Sequence, residues 1–199
     1  MKRERKRKIL GAMIGIIAFI AVIAGATYAW LTWRSNNTII NGTTGCFTID
    51  YTKGADITGT LKLKNLQLSS VSVGSAFTYD SATMASTTVQ MGVNSACSIQ
   101  GTGTITLNTT SIDADLVTGD SIGALNYVVV NTSDTVLAKG TVTATANNSQ
   151  VLYTGFNLSM GTKTSYKVIL WIDGNKANAG AIGGSYQGNI SASANQVQA

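Results

Sequence analysis

The chain has 199 residues, of which 12% are charged, with no histidine, no proline and a single glutamate, Glu4. Without histidine there is no Ser-His-Asp triad and no HExxH zinc site, and a glycosidase pair would have to be two aspartates. The formal charge of +5 is local: six basic residues lie between Lys2 and Lys8, whereas Trp30 onward carries eight basic and eight acidic residues. That balance leaves no basic stripe to neutralise phosphates, so nucleic acid is not an expected partner.

The basic block Lys2–Lys8 precedes "ILGAMIGIIAFIAVIAGATYA" (Ile9–Ala29), 21 residues without a charge. As a helix this run would be about 30 Å long, enough to cross a bilayer core. Basic residues ahead of it form the cytoplasm-retained flank of an export signal. The run exceeds the usual signal-peptide core of about 7–15 apolar residues. Thr27 and Ala29 nevertheless supply small residues ahead of a cut at Ala29–Trp30. Residues 1–29 are therefore read as a signal peptide or a membrane anchor. Gly11 is followed by an apolar run without a carboxylate, which argues against a type IV pilin leader.

Residues 30–44 follow as a polar linker, with Trp30, Trp33, Ile39 and Ile40 as apolar anchors around Ser35-Asn36-Asn37-Thr38. From residue 45 to 199 the period changes to two. "CFTIDYT" (Cys46–Thr52), "GTLKLKNLQL" (Gly59–Leu68), "TTVQMGVN" (Thr87–Asn94) and "GTITLNTT" (Gly103–Thr110) alternate apolar with polar residues. "LNYVVVNT", "TVLAKGTVTATA", "VLYTGFNLSM", "SYKVILWIDG" and "YQGNISASANQV" continue the series. Such alternation, rich in Thr, Val, Ile and Tyr and punctuated by Gly, Asn and Ser, indicates half-buried antiparallel strands. Only Ile112–Leu116 suggests a helical turn. Roughly 165 residues in about nine or ten strands predict one all-β domain, an antiparallel β-sandwich of jelly-roll type. With no proline and little charge, its sheet edges lack two common guards against strand addition.

Candidate sites in the domain are few. Asp113, Asp115 and Asp120 in "DADLVTGD" fail the EF-hand pattern, since Val117, Thr118 and Ala124 stand where ligands or glycine are needed. A solvated turn is the expectation there, and no metal, cofactor or catalytic residue is assigned. "GTGT" (Gly101–Thr104) and "GAIGGS" (Gly180–Ser185) lack the Gly-Lys-Ser/Thr of a phosphate loop and are read as turns or bulges. Trp171 is read as a packing residue. Cys46 and Cys97 are the only cysteines; in an exported domain they form a disulfide, and otherwise they pack as buried thiols.

The stretch "ATYAWLTWRSNNTIINGTTGCFTIDY" resembles the start of the TasA/camelysin family of exported Gram-positive matrix proteins. The likeness lies in the basic start, the Gly/Ala-rich apolar run and the junction Thr27-Tyr28-Ala29-Trp30. In that family such a junction is cut by a signal peptidase of the SipW type. The chain departs from the pattern at Trp33, where an Asp is common, and in lacking a Pro-Gly-Asp turn. The resemblance implies a jelly-roll domain that polymerises into extracellular fibres, the N-terminal strand of one subunit completing a sheet of the next. The expectation is therefore a structural homo-polymer, not an enzyme, that is secreted or held at the cell surface after a membrane-inserted precursor stage. The alternative is a monomeric, membrane-anchored surface adhesin or binding module with an uncleaved helix.

Overall fold

A computed structural model describes residues 42–44, 46–52, 56–97, 99–117, 119–181 and 184–196. The expected N-terminal helix, the junction Thr27-Tyr28-Ala29-Trp30 and the anchors Trp33, Ile39 and Ile40 lie outside these residues.

Eleven strands are described: β1 (Gly42–Thr44), β2 (Phe47–Thr52), β3 (Asp56–Thr60), β4 (Leu63–Lys64), β5 (Ala85–Val93), β6 (Gly101–Ile112), β7 (Leu125–Val130), β8 (Val136–Thr141), β9 (Asn148–Leu158), β10 (Thr164–Asp173) and β11 (Ser185–Gln196). One helical turn, α1 (Ala114–Val117), interrupts them, at the place where the sequence suggested one. The strands form two sheets, ordered β1-β2-β5-β10-β7-β8 and β3-β11-β6-β9. Pairing is antiparallel throughout, apart from the two-residue β4, which runs parallel to β10. The domain is all-β and sandwich-like. Its first strand, Gly42–Thr44, pairs with Phe47–Ile49, so the sheet starts inside the stretch read as linker.

The main core lies between the sheets. Inward side chains of β5, β7 and β10 (Val89, Met91, Leu125, Val129, Val168, Leu170) meet those of β6, β9 and β11 (Ile105, Leu107, Leu152, Ile190) in one buried cluster. β6 shows the alternation most plainly, each inward residue from Gly101 to Thr109 buried and each outward one part-exposed. Tyr127 of β7 ties the two layers by donating its hydroxyl to the Leu152 carbonyl at 3.4 Å.

β7 and β10 depart from alternation because both their faces are covered. All six residues of β7 are buried, as are Val168–Asp173 of β10. Their second face packs Val128, Val130, Ile169 and Trp171 against Val71, Phe77 and Met84. Those covering residues belong to the segment between β3 and β5, which crosses the outer face of the larger sheet. This corrects the expected strand Gly59–Leu68: β3 stops at Thr60, only Leu63–Lys64 pairs again, and Leu68–Ser70 forms a 3-10 turn. Leu66 and Leu68 turn inward as lid residues instead of alternating along a sheet. The expected strand Thr135–Ala146 is likewise shorter, ending at Thr141.

Trp171 is fully buried, and its indole N–H donates to the Leu66 carbonyl at 3.1 Å. Phe77 packs on it with ring centroids 5.5 Å apart. The ring thus fastens the covering segment to β10.

Candidate functional site

The chain reaches the domain at the outer edge of the larger sheet, where β1 folds back on β2. Cys46, between those strands, is joined by a disulfide to Cys97, with Cα atoms 5.7 Å apart. The Asn94 N–H donates to the Cys46 carbonyl at 2.7 Å, and the Cys97 N–H to the Asn94 carbonyl at 3.0 Å. The turn between β1 and β2 is therefore tied covalently beside the end of β5, a strand paired on both sides.

Strand addition needs a free edge, and the described edges differ. β8 is partly occupied: the Gly74 N–H donates to the Val136 carbonyl at 2.8 Å and the Val136 N–H to the Ser75 carbonyl at 2.9 Å. The Lys139 ammonium reaches back from β8 to the carbonyls of Leu68 and Val71. β3 is five residues long and begins with exposed Asp56. β9 is longer, eleven residues with no charged side chain, and among the described residues it pairs only with β6. Val151 on it is 53% exposed.

Two features shape the β9 edge. Its register against β6 shifts at Gly103/Thr104 and at Ile105/Thr106, and Gly155 has φ +75. Such bulges twist an edge strand and blunt it. At its start Gln150 acts as a clasp. Its amide oxygen accepts the Thr143 N–H at 2.7 Å, and its NH2 donates to the Thr141 carbonyl at 2.9 Å. That bridge closes one side of the sandwich at the start of β9, and further along the Tyr127 hydroxyl reaches the Leu152 carbonyl.

"GTGT" is neither a turn nor a phosphate loop but the start of β6, and a bulge does fall at Gly103. Gly101 and Gly103 face inward, where a Cβ would stand 2.3 Å from the rings of Phe47 and Phe156 respectively. The part of "GAIGGS" that is described comprises a 3-10 turn at Ala179–Ala181, Gly184 and the first residue of β11.

The aspartate cluster lies around α1. Asp113 accepts the Asp115 N–H at 3.1 Å, and Asp120 sits exposed in the following turn. Among the described residues no three His, Cys, Asp or Glu side chains come close enough to share a metal ion. A hollow of about 260 Å³ in the covering segment is lined by Lys64, Leu66, Val71 and Phe77, among others. Lys64 there is paired with Asp80 at 2.9 Å. The Lys64 ammonium, with the Thr83 hydroxyl and the Ala82 N–H, lowers the Asp80 carboxyl to about 2. Burial pushes the Tyr186 phenol up to about 12, opposed by its hydrogen bond with Thr109.

Gln150, Lys139 and Asp80 were not singled out by sequence reasoning, because the partners of Lys139 and Asp80 come from distant or irregular chain and Gln150 closes a crossover. The absence of charge along β9 was visible in "NNSQVLYTGFNL".

Among the described residues no helix is long and apolar enough to cross a membrane. Comparison with protein-family models, curated proteins and solved structures finds no match to this chain.

Proposed function

We propose that this chain is an exported structural protein of the TasA/camelysin type, which assembles head to tail into extracellular fibres. In this reading residues 1–29 direct export and are removed at Ala29–Trp30 by a SipW-type signal peptidase. Trp30–Ile40 then becomes a free N-terminal strand. It adds to the outer edge of β9 in the next subunit, where main-chain hydrogen bonds supply affinity and pockets take Trp30, Trp33, Ile39 and Ile40. Such a contact does not close on itself and so propagates.

The observation that carries this reading is β9: an eleven-residue terminal strand without a charge or a proline. Its length matches that of the donor segment. The path of the chain, which passes from one sheet to the other between most successive strands, suits a jelly-roll description of the sandwich. A second reading, a monomeric membrane-anchored adhesin or binding module, is favoured by the bulges and Gly155 that blunt the same edge.

Deleting Trp30–Ile40 behind a working signal separates the two. Fibre assembly by strand donation predicts folded, soluble monomers from the deletion and filaments from the intact chain. Filaments formed equally well without the segment would end this reading. Full-length, uncleaved monomers in the membrane fraction of wild-type cells, with no shorter species, would favour the second.

A further inference from the structure

We propose that the end of β10 holds a calcium ion, bound between Asp173 and Asn126 beneath the covering segment. Both residues are fully buried. Asp173 Oδ2 has no hydrogen-bond partner, and neither has the side-chain nitrogen of Asn126. Buried polar atoms are almost always satisfied, so two orphans side by side point to a ligand they share.

Sheet geometry makes them neighbours. Trp171 of β10 stands opposite Asn126 of β7, and the Asp173 N–H donates to the Ala124 carbonyl at 2.8 Å. Asp173 and Asn126 are thus diagonal neighbours on the face that carries Trp171, Val128 and Val130. Such pairs are about 7–8 Å apart along the backbone, within range of one shared ion.

Charge selects the ligand. Asp173 Oδ1 accepts the Asn175 N–H at 3.0 Å and its side-chain amide at 3.1 Å, which leaves Oδ2 over. Among the described residues no cation pairs with this carboxylate: Lys64 stands opposite Asp173 in the β4–β10 register, but its ammonium is held by Asp80 at 2.9 Å. A carboxylate sealed from water is costly without a counter-charge, and a bound cation supplies one.

The Asn126 amide serves the same ion when turned over. Its oxygen meets the Thr141 hydroxyl at 3.3 Å, longer than the about 2.5–3.0 Å of an O–H···O bond. Half a turn about the Cβ–Cγ bond gives that contact to the nitrogen, whose hydrogen bonds run longer, and swings the oxygen from β8 towards β10. Asp173 and Asn126 then present two oxygens to one ion. Two main-chain oxygens adjoin them: that of Ala124, and that of Leu66, which takes the Trp171 indole N–H at 3.1 Å. Each keeps a second lone pair. An all-oxygen set with one carboxylate suits Ca²⁺, which tolerates irregular geometry, at a weak affinity of about 10⁻⁴–10⁻³ M. The ion would tie β7 and β10 to the covering segment, and it does not require the chain to polymerise.

The test is thermal melting of the full-length chain, stripped with EDTA, against added CaCl2, with NaCl at equal ionic strength as the reference. Calcium at about ten times its Kd multiplies the folded-to-unfolded ratio about tenfold, which should raise the melting temperature by about 3–6 °C. Asp173→Asn keeps an acceptor for Asn175 but loses the charge, and should abolish the rise. Asp80→Asn, which removes the exposed carboxylate beside Lys64, should keep it. Asn126→Asp supplies a second carboxylate and should tighten calcium binding at least about tenfold; it reports independently if Asp173→Asn does not fold. No rise beyond the sodium reference, the result expected if the two atoms share only a water, overturns the proposal. So does an equal rise in folded Asp173→Asn, or an unaltered calcium affinity in Asn126→Asp.

Discussion

Gly103 shows how a residue's meaning depends on what lies across from it. In sequence, "GTGT" reads as a turn or bulge; in the fold, Gly101 and Gly103 are inward β6 positions that leave room for the rings of Phe47 and Phe156. Phe156 in turn stacks on Tyr153, with ring centroids 4.6 Å apart, and tilts against Tyr166 at the same distance. A methyl at Gly103 must displace this aromatic group. Gly103→Ala should therefore cost about 1–3 kcal/mol, the usual range for overpacking, as measured by urea denaturation. An unchanged midpoint would show that the rings have room to move. Trp171 was legible as a packing residue, but its hydrogen bond to the Leu66 carbonyl was not, since Leu66 looked like part of a strand.

At the scale of elements, the strands with one wet face were the most legible. β6 and β11 alternate along almost their whole length, because one face meets the opposite sheet and the other meets water. β7 and β10, expected to alternate, are instead buried on both faces because the covering segment lies over their second face, and no local pattern announces what covers them. That segment is held partly by Lys64 and Asp80, whose side chains are 30% and 36% exposed, so solvent screens the pair. The folded Asp80 carboxyl lies at about 2, below its ordinary 3.8. Because the folded value is depressed, its contribution is present above about pH 4 and lost as pH falls towards 2. The wild-type urea midpoint should then fall more steeply over that window than that of Asp80→Asn, whereas parallel slopes would remove the pair from the account. The disulfide acts on a longer stretch: Cys46 and Cys97 are 51 residues apart. On the chain-entropy model such a bridge stabilises by about 4 kcal/mol. Reduction should lower the melting temperature accordingly, and labelling of both thiols in the native protein would contradict a bonded pair.

For the whole molecule, composition and period indicate an all-β, sandwich-like domain, but not its strand order. The pairs that define the sheets, such as β4 with β10 and β3 with β11, join chain segments far apart in sequence. No two-residue rhythm encodes which strands become neighbours or which edges stay open. The absence of charge in β9 was readable; that β9 would end a sheet was not. The polymerisation reading depends on that placement together with an N-terminal segment that begins at the proposed cut. Its most direct test is a mixed cross-linking experiment between two variant chains. One carries Ile39→Cys, and the other a cysteine on β9 at Val151, Thr154 or Asn157 in turn. The account predicts a cross-linked dimer at one or more of the three positions, formed only when the two chains are mixed. No cross-link at any of them, with one forming instead to a cysteine at Lys139 on β8, would contradict it.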